Sequence, residues 1–423
     1  MRKYFAILFF AVLSLGAYAQ KGKYVGGDIS LIPAYEKHNS PYLNSDGQPI
    51  DDLLAWLKGE CGWNTFRVRL FVSPDGSDPA VCQDLDYVKA LGKRIKALGA
   101  KFMLDFHYSD TWVDATHIQA PAAWKSLTVA EKATKIAEYT REVLQTLKGD
   151  DAQPDFVQVG NEIMYGFMGV KVAPYDKEDS QWDDFLTILR AGCEAVREEC
   201  PQAEIIIHTD RPCNADYAKY WYGKLDAADI PYDVIGLSYY PFWHGTLDDL
   251  RKALDRMKTD FAGRKIQIVE TGYYFQYWPA DANYDTRKTW AATPDGQYKF
   301  VKDLLGLLAD YEQVEGVAYW CPEDAGNGDD TDWDKSKGTV MTDWTNRGLW
   351  WPGQTNAGHW PVTAEEGAIH YLLKDFLDPE IAGMKTPTVS DSHDGGIYDI
   401  TGRRLPTAPA KGLFIQQGKK RIK

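Results

Sequence analysis

From Tyr24 to Phe376, short runs of β-branched and aromatic residues alternate with longer stretches of helical period. This is the pattern of repeated β-α units around a parallel sheet. The apolar runs predict strands at Val25 to Ser30, Thr65 to Phe71, Lys101 to His107, Phe156 to Gly160, Glu204 to His208, Val234 to Tyr239, Ile266 to Glu270 and Val317 to Trp320. Amphipathic stretches such as Leu85 to Leu98, Ala130 to Leu147, Trp182 to Glu199, Leu247 to Phe261 and Gln297 to Tyr311 predict helices between them. Eight units that close on themselves make an α/β (β/α)8 TIM barrel, whose active site lies at the carboxyl ends of the strands. After Phe376 the pattern breaks. Residues 379–396 are rich in Pro, Ser, Gly and Asp and read as a linker, while Ile397 to Leu405 and Leu413 to Gln417 predict a short C-terminal β-rich tail over residues 397–423.

Composition narrows the class of protein. With 423 residues, 44% of them hydrophobic and 13% aromatic, the chain can bury a large core and is not disordered. A formal charge of -14 disfavours nucleic acid or an anionic membrane as partner. Arg2 and Lys3, the apolar run Phe5 to Leu15 and then Ala17-Tyr18-Ala19 have the three parts of a secretory signal over residues 1–19, with cleavage near Ala19. The catalytic domain is expected over residues 20–378. Ala17 to Gln20 holds no cysteine for a lipid anchor, and no later apolar run is long enough to span a bilayer. A soluble exported monomer, periplasmic or extracellular, is therefore expected. The six cysteines are read mostly as buried small hydrophobes.

Polar groups gather where the apolar strands end. The first strand closes on Asp28, the second carries Arg67 and Arg69 on one face, and the third ends in Asp105 and His107. The fourth ends in Asn161-Glu162, the fifth in His208 and Asp210, the sixth in Tyr239-Tyr240, the seventh in Glu270 and the eighth in Trp320. Glutamates at the tops of strands four and seven face each other across a barrel mouth. Retaining glycosidases need two carboxyls about 5–5.5 Å apart, one a nucleophile and the other an acid and then a base. Glu270 is assigned as nucleophile and Glu162 as acid and base, its pKa raised by burial and by the neighbouring charge. Arg69 is expected to pair with Glu270, Asn161 to bond a sugar 2-hydroxyl, and Tyr239 to orient the nucleophile. Sugars also want aromatic platforms, for which Trp112, Trp243, Trp278 and Trp320 stand at loops or strand ends. His107 and His244 are read as polar subsite contacts, and no histidine pair has the helical spacing of a zinc site.

At these residues the chain resembles the endo-β-1,4-galactanases of glycoside hydrolase family 53, a branch of the retaining (β/α)8 clan that cleaves pectic β-1,4-galactan. The likeness is carried by Gly27 to Ser30, Asn64 to Pro74, Leu104 to Asp114, Val157 to Ile163 and Asp233 to Leu247. It implies Glu162 as the acid and base and Glu270 as the nucleophile. It further implies Asp28, Arg69, His107, Asp110 and Trp112 as cleft residues, with Asn161, Tyr239, Tyr240, His244 and Trp320 beside them. Ala115, the run Gly272 to Phe275 and the loop Met164 to Val170 depart from the family pattern. Those departures concern the subsites and leave the chemistry intact.

Asp281, Asn283 and Asp285 set oxygen ligands at alternate positions, as calcium loops do. The resemblance implies a structural calcium in some bacterial members; a solvated acidic loop is the competing reading. Catalysis itself requires no cofactor. Two rival functions stand beside the galactanase: another retaining β-glycanase of the clan, a mannanase or glucanase, and a non-catalytic glycan-binding barrel.

Overall fold

The computed structural model describes residues 23–37, 41–173, 180–325, 345–352 and 358–378, with four short strands between residues 397 and 422. The expected signal segment and linker lie outside the described residues. Two compact units divide the chain, Met1–Met384 and Lys385–Lys423.

In the first unit, eight parallel strands close into a barrel whose order around the ring follows the order of the chain. They are β1 (Tyr24–Asp28), β2 (Thr65–Leu70), β3 (Lys101–Phe106), β4 (Phe156–Val159), β5 (Glu204–Thr209), β6 (Val234–Tyr239), β7 (Lys265–Thr271) and β8 (Val314–Trp320). The return helices are α1 (Leu53–Gly59), α2 (Leu85–Ala97), α3 (Val129–Gly149), α4 (Trp182–Glu199), α5 (Ala215–Ala227), α6 (Leu247–Asp260), α7 (Pro294–Ala309) and α8 (Ile369–Leu372). Local signals start several of them. Thr128 with Glu131 and Thr246 with Asp249 form reciprocal capping boxes at α3 and α6, which satisfy backbone donors that the first turn leaves free. No helix among the described residues is long and apolar enough to cross a membrane. The six cysteines are free thiols, and Cys61, Cys193, Cys200 and Cys321 are buried.

Two apolar layers show how each strand divides its residues. Met103, Phe156, Ile206 and Val234, from β3 to β6, form a small cluster of their own. Their chain neighbours Leu104, Val157, Ile207 and Ile235 belong instead to the large core shared with the helices. Because side chains alternate along a strand, the first set faces the barrel axis. Two residues further on, the same inward rows carry Asp105, Gln158 and His208, and the β6 row reaches Ser238. The interior therefore changes from an apolar plug to a buried polar layer towards the carboxyl ends.

The second unit is a four-stranded antiparallel sheet of Ile397–Tyr398, Arg404–Leu405, Leu413–Gln416 and Lys419–Ile422. The reading of Ile397 to Leu405 as one strand is corrected: two short strands lie there, and the basic end of the chain supplies another.

Candidate active site

The loop after β4 makes a sharp corner. Gly160 has φ +86°, and a Cβ there would fall 2.5 Å from Ile163 Cγ2, so the position needs glycine. Glu162 is itself held at φ 45°, a conformation that a side-chain-bearing residue adopts only where its surroundings enforce it. The corner turns Glu162 into a cavity of about 900 Å³ that Glu270, from the end of β7, also lines.

A hydroxyl that the sequence reading passed over sits between the two carboxylates. Ser238 Oγ donates to Glu162 Oε1 at 2.6 Å and lies 3.4 Å from Glu270 Oε2. The two oxygens are thus at most about 6 Å apart, short of the roughly 6.5–9.5 Å between the carboxyls of inverting glycosidases. The direction of Ser238's proton follows from its neighbours. His208 Nδ1 accepts from the Glu162 backbone N–H at 3.3 Å, so the ring proton is on Nε2, which donates to Ser238 Oγ at 2.8 Å. Burial, and Arg67 close by, hold His208 neutral by pushing its pKa well below the ordinary value.

The partner of Glu270 differs from the expected one. Arg67 Nη2 lies 2.9 Å from Glu270 Oε1, and the same guanidinium meets Asp28 Oδ2 at 2.6 Å, Asp105 Oδ2 at 2.8 Å and Asn161 Oδ1 at 2.8 Å. Arg69 instead pairs with Asp28 Oδ1 at 3.1 Å and donates to Cys321 Sγ at 3.2 Å. Both arginines point inward, so the i, i+2 spacing could not choose between them; the register sets Arg67 beside Asp28 but Arg69 beside Asp105, and the length of the Arg67 side chain carries its guanidinium on to Asp105 and Glu270. The Tyr239 expectation is corrected for a related reason. Ser238 faces the axis, so Tyr239 faces the helices, and its hydroxyl donates to the Gly245 carbonyl at 3.0 Å. Tyr240 takes the expected role, donating to Glu270 Oε2 at 3.1 Å.

The remaining candidates divide by position. His107, Trp112, Asn161, Tyr240, His244 and Trp320 line the cavity, as does Arg69, whose guanidinium lies 4.8 Å from the centre of the Trp112 ring. Asn161 spends one amide hydrogen on the Val113 carbonyl at 2.7 Å and has a second to offer. His244 Nδ1 accepts from the Tyr240 N–H, and burial depresses its pKa to about 3, so the ring is neutral. Asp28 is buried in the arginine network and does not line the cavity. Asp110 lies in an adjoining pocket. Trp243 lines the cavity, whereas Trp278 packs on Phe242, Tyr273 and Tyr274. Arg211 and Arg347 also line it. Arg211 lies in the loop after β5 and Arg347 in a single 3-10 turn, segments too short for hydrophobic period to carry a signal.

Among the described residues, two of the three expected calcium ligands are turned to other partners. Asp285 holds Arg287 with both oxygens, at 2.8 Å each, and Asn283 donates to the Trp243 carbonyl at 3.3 Å. A guanidinium thus occupies the carboxylate that the cation would need. Among the described residues, no group of three His, Cys, Asp or Glu side chains could hold a metal. The acids of the eighth loop from residue 326 onward lie outside the described residues.

The electrostatics separate the two glutamates. Burial, then the charges of Glu270 and Asp210, push the Glu162 carboxyl well above the usual carboxylate range, opposed by the Ser238 hydroxyl. Burial raises Glu270 too, but Arg67 and the Tyr240 hydroxyl pull it back against Asp28 and Asp105. The pair therefore loses its first proton mainly from Glu270 and its second mainly from Glu162. Burial also lifts Asp210 to about 6. Above that pH it is ionised and helps to keep Glu162 protonated. In an Asp210→Asn variant that help is lost, so the alkaline limb of kcat/KM is expected to move to lower pH. A pH–rate profile measures this, and an unmoved limb would remove Asp210 from the account.

Comparison with known proteins agrees with this geometry. The sequence profile of glycosyl hydrolase family 53 matches residues 24–352. An endo-β-1,4-galactanase of Bacillus subtilis (strain 168) is 30% identical over 393 residues, covering 90% of this chain and 83% of its own. A probable arabinogalactan endo-β-1,4-galactanase A of Aspergillus terreus is 33% identical over 317 residues, covering 71% of this chain and 85% of its own. Among solved structures, the family 53 catalytic domain of Ignisphaera aggregans superposes with a TM-score of 0.67 at 26% identity, covering 82% of this chain and 95% of that one. The match runs from β1 past β8 and takes in both glutamates, and on it the chain is a glycoside hydrolase that belongs to glycosyl hydrolase family 53.

Proposed function

We propose that the protein is a secreted retaining endo-β-1,4-galactanase that hydrolyses pectic β-1,4-galactan by double displacement. One observation carries the mechanism: two glutamates share the hydroxyl of Ser238 yet have unequal surroundings. Glu270 is ionised and held by Arg67 and Tyr240, and it attacks the anomeric carbon. Glu162 begins protonated and gives its proton to the departing glycosidic oxygen. Forming the glycosyl-enzyme removes the Glu270 charge, the largest of the charges that keep Glu162 protonated, so its pKa falls. It then takes a proton from the water that releases the sugar. Tryptophans 112, 243 and 320 offer flat faces to the sugar rings, and Asn161 offers an N–H to the 2-hydroxyl.

The choice of galactan rests on the activities of the relatives and on the Asp233 to Leu247 motif. Fold and two glutamates do not specify a sugar by themselves. Wild type incubated in parallel with linear β-1,4-galactan, a β-mannan and a β-glucan is expected to release short oligosaccharides from galactan alone. Cleavage of mannan or glucan instead would keep the mechanism and overturn the substrate. Galactan bound but uncut would make the barrel a glycan-binding protein.

A further inference from the structure

A second pocket, of about 520 Å³, opens beside the cleft and shares Thr111 and Gln119 with it. Its wall includes a lysine in an unusual setting. Lys132, near the start of α3, is only 8% exposed, and among the described residues its ammonium has one partner, the Met168 carbonyl at 2.8 Å. Buried lysines are rare unless paired with a carboxylate, and this one has hydrogens to spare. The nitrogen stands at the pocket's Gly169 wall, 3.5 Å from where a Cβ on that glycine would sit. Asp110 lines the same pocket. Its Oδ2 accepts from the Ala122 N–H at 2.8 Å, while Oδ1 is buried with no hydrogen-bond partner among the described residues.

Cationic donors and an unsatisfied carboxylate oxygen in one pocket suit a polyol, whose hydroxyls both accept and donate. Lys125 lines the pocket as well and adds a second cationic donor. The lining has no aromatic ring, so the pocket lacks the stacking platform that a backbone subsite needs. We infer that this pocket is an accessory subsite that receives a branch sugar of the galactan, such as a single arabinofuranosyl unit, with Lys132 donating to it and Asp110 accepting from it. The inference rests on the galactanase reading and extends it from linear to branched substrate.

The test measures kcat and KM of wild type, Lys132→Met and Ala122→Trp on linear β-1,4-galactan and on the same polymer bearing single α-arabinofuranosyl branches. Ala122 is exposed on the pocket rim, so the tryptophan fills the pocket without disturbing the core. Wild type is expected to cut both polymers. Each variant should lose about tenfold in kcat/KM on the branched polymer, mainly through KM, and keep its activity on the linear one. Equal losses on both polymers, no loss on either, or a wild type that cuts only the linear chain would overturn the subsite and leave the galactanase standing. A wild type inactive on both would overturn the galactanase reading and the subsite with it.

Discussion

Glu270→Gln is expected to lower turnover on galactan by at least about 10⁴-fold, and the loss should be the same on aryl galactosides with good leaving groups. Glu270 is the carboxylate that Arg67 and Tyr240 hold in place opposite Glu162, and a better leaving group does not replace a nucleophile. Glu162→Gln should behave differently. On galactan it is expected to cost about 10²–10⁴-fold, because the leaving sugar oxygen departs unprotonated. On an activated aryl galactoside the first step needs no acid, so a burst of the aryl leaving group should appear before slow release of the sugar. Both variants should bind galactan and keep the wild-type melting temperature, since glutamine preserves the volume of each side chain. Stopped-flow release of the aryl group with steady-state turnover distinguishes the two. If Glu270→Gln gave the burst and Glu162→Gln did not, the assignments would have to be exchanged.

Arg67 is the second position of large effect. Its guanidinium meets Asp28, Asp105, Asn161 and Glu270, and all three acids are carboxylates removed from water. Burial opposes its charge, but Asp105, Glu270 and Asp28 together hold it firmly protonated. The same attraction offsets burial at Asp105 and holds that carboxyl below its ordinary value. Arg67→Met leaves buried carboxylates uncompensated and is expected to cost about 3–5 kcal/mol of stability. The sign of the pH effect follows directly. Arg67 lowers the Glu270 pKa, so without it the pKa rises, and the acid limb of kcat/KM moves to higher pH. Arg67→Lys keeps the charge but cannot reach four acceptors from one nitrogen. Its acid limb should stay close to that of wild type, while kcat falls about 10²-fold because the nucleophile is no longer fixed in place. Thermal unfolding and pH–rate profiles measure both variants. An acid limb unmoved in Arg67→Met would mean that Arg67 does not set the ionisation of Glu270.

Neither expectation about the surroundings of Glu270 was available from spacing alone. Arg67 and Arg69 share a face, and period two places them together without saying which carboxylate each meets. Tyr239 and Tyr240 are adjacent, and only the inward direction of Ser238 shows that the first faces the helices. Ser238 carried no signal of its own, being one small polar residue in an apolar strand. In α5, Tyr217, Trp221 and Tyr222 make the buried face, and its aromatic-rich composition hid it from the reading that found α3 and α6. Alternate acids in the seventh loop looked like a cation site, because spacing does not show that Arg287 already neutralises Asp285.

The sequence by itself determined the barrel, the strand ends that carry chemistry, and the two glutamates. Each depends on short-range order: a run of β-branched residues, a helical period, a glycine before Asn161-Glu162 that allows the corner. The tertiary structure decided which side chains share a proton or a charge. Ser238 lies 76 residues from Glu162 and 32 from Glu270, and Asp28, Arg67, Asp105 and Glu270 come from four different strands. Strand register and closure of the ring bring them together, and over atomic distances electrostatic energy changes too steeply for a linear spacing to encode it.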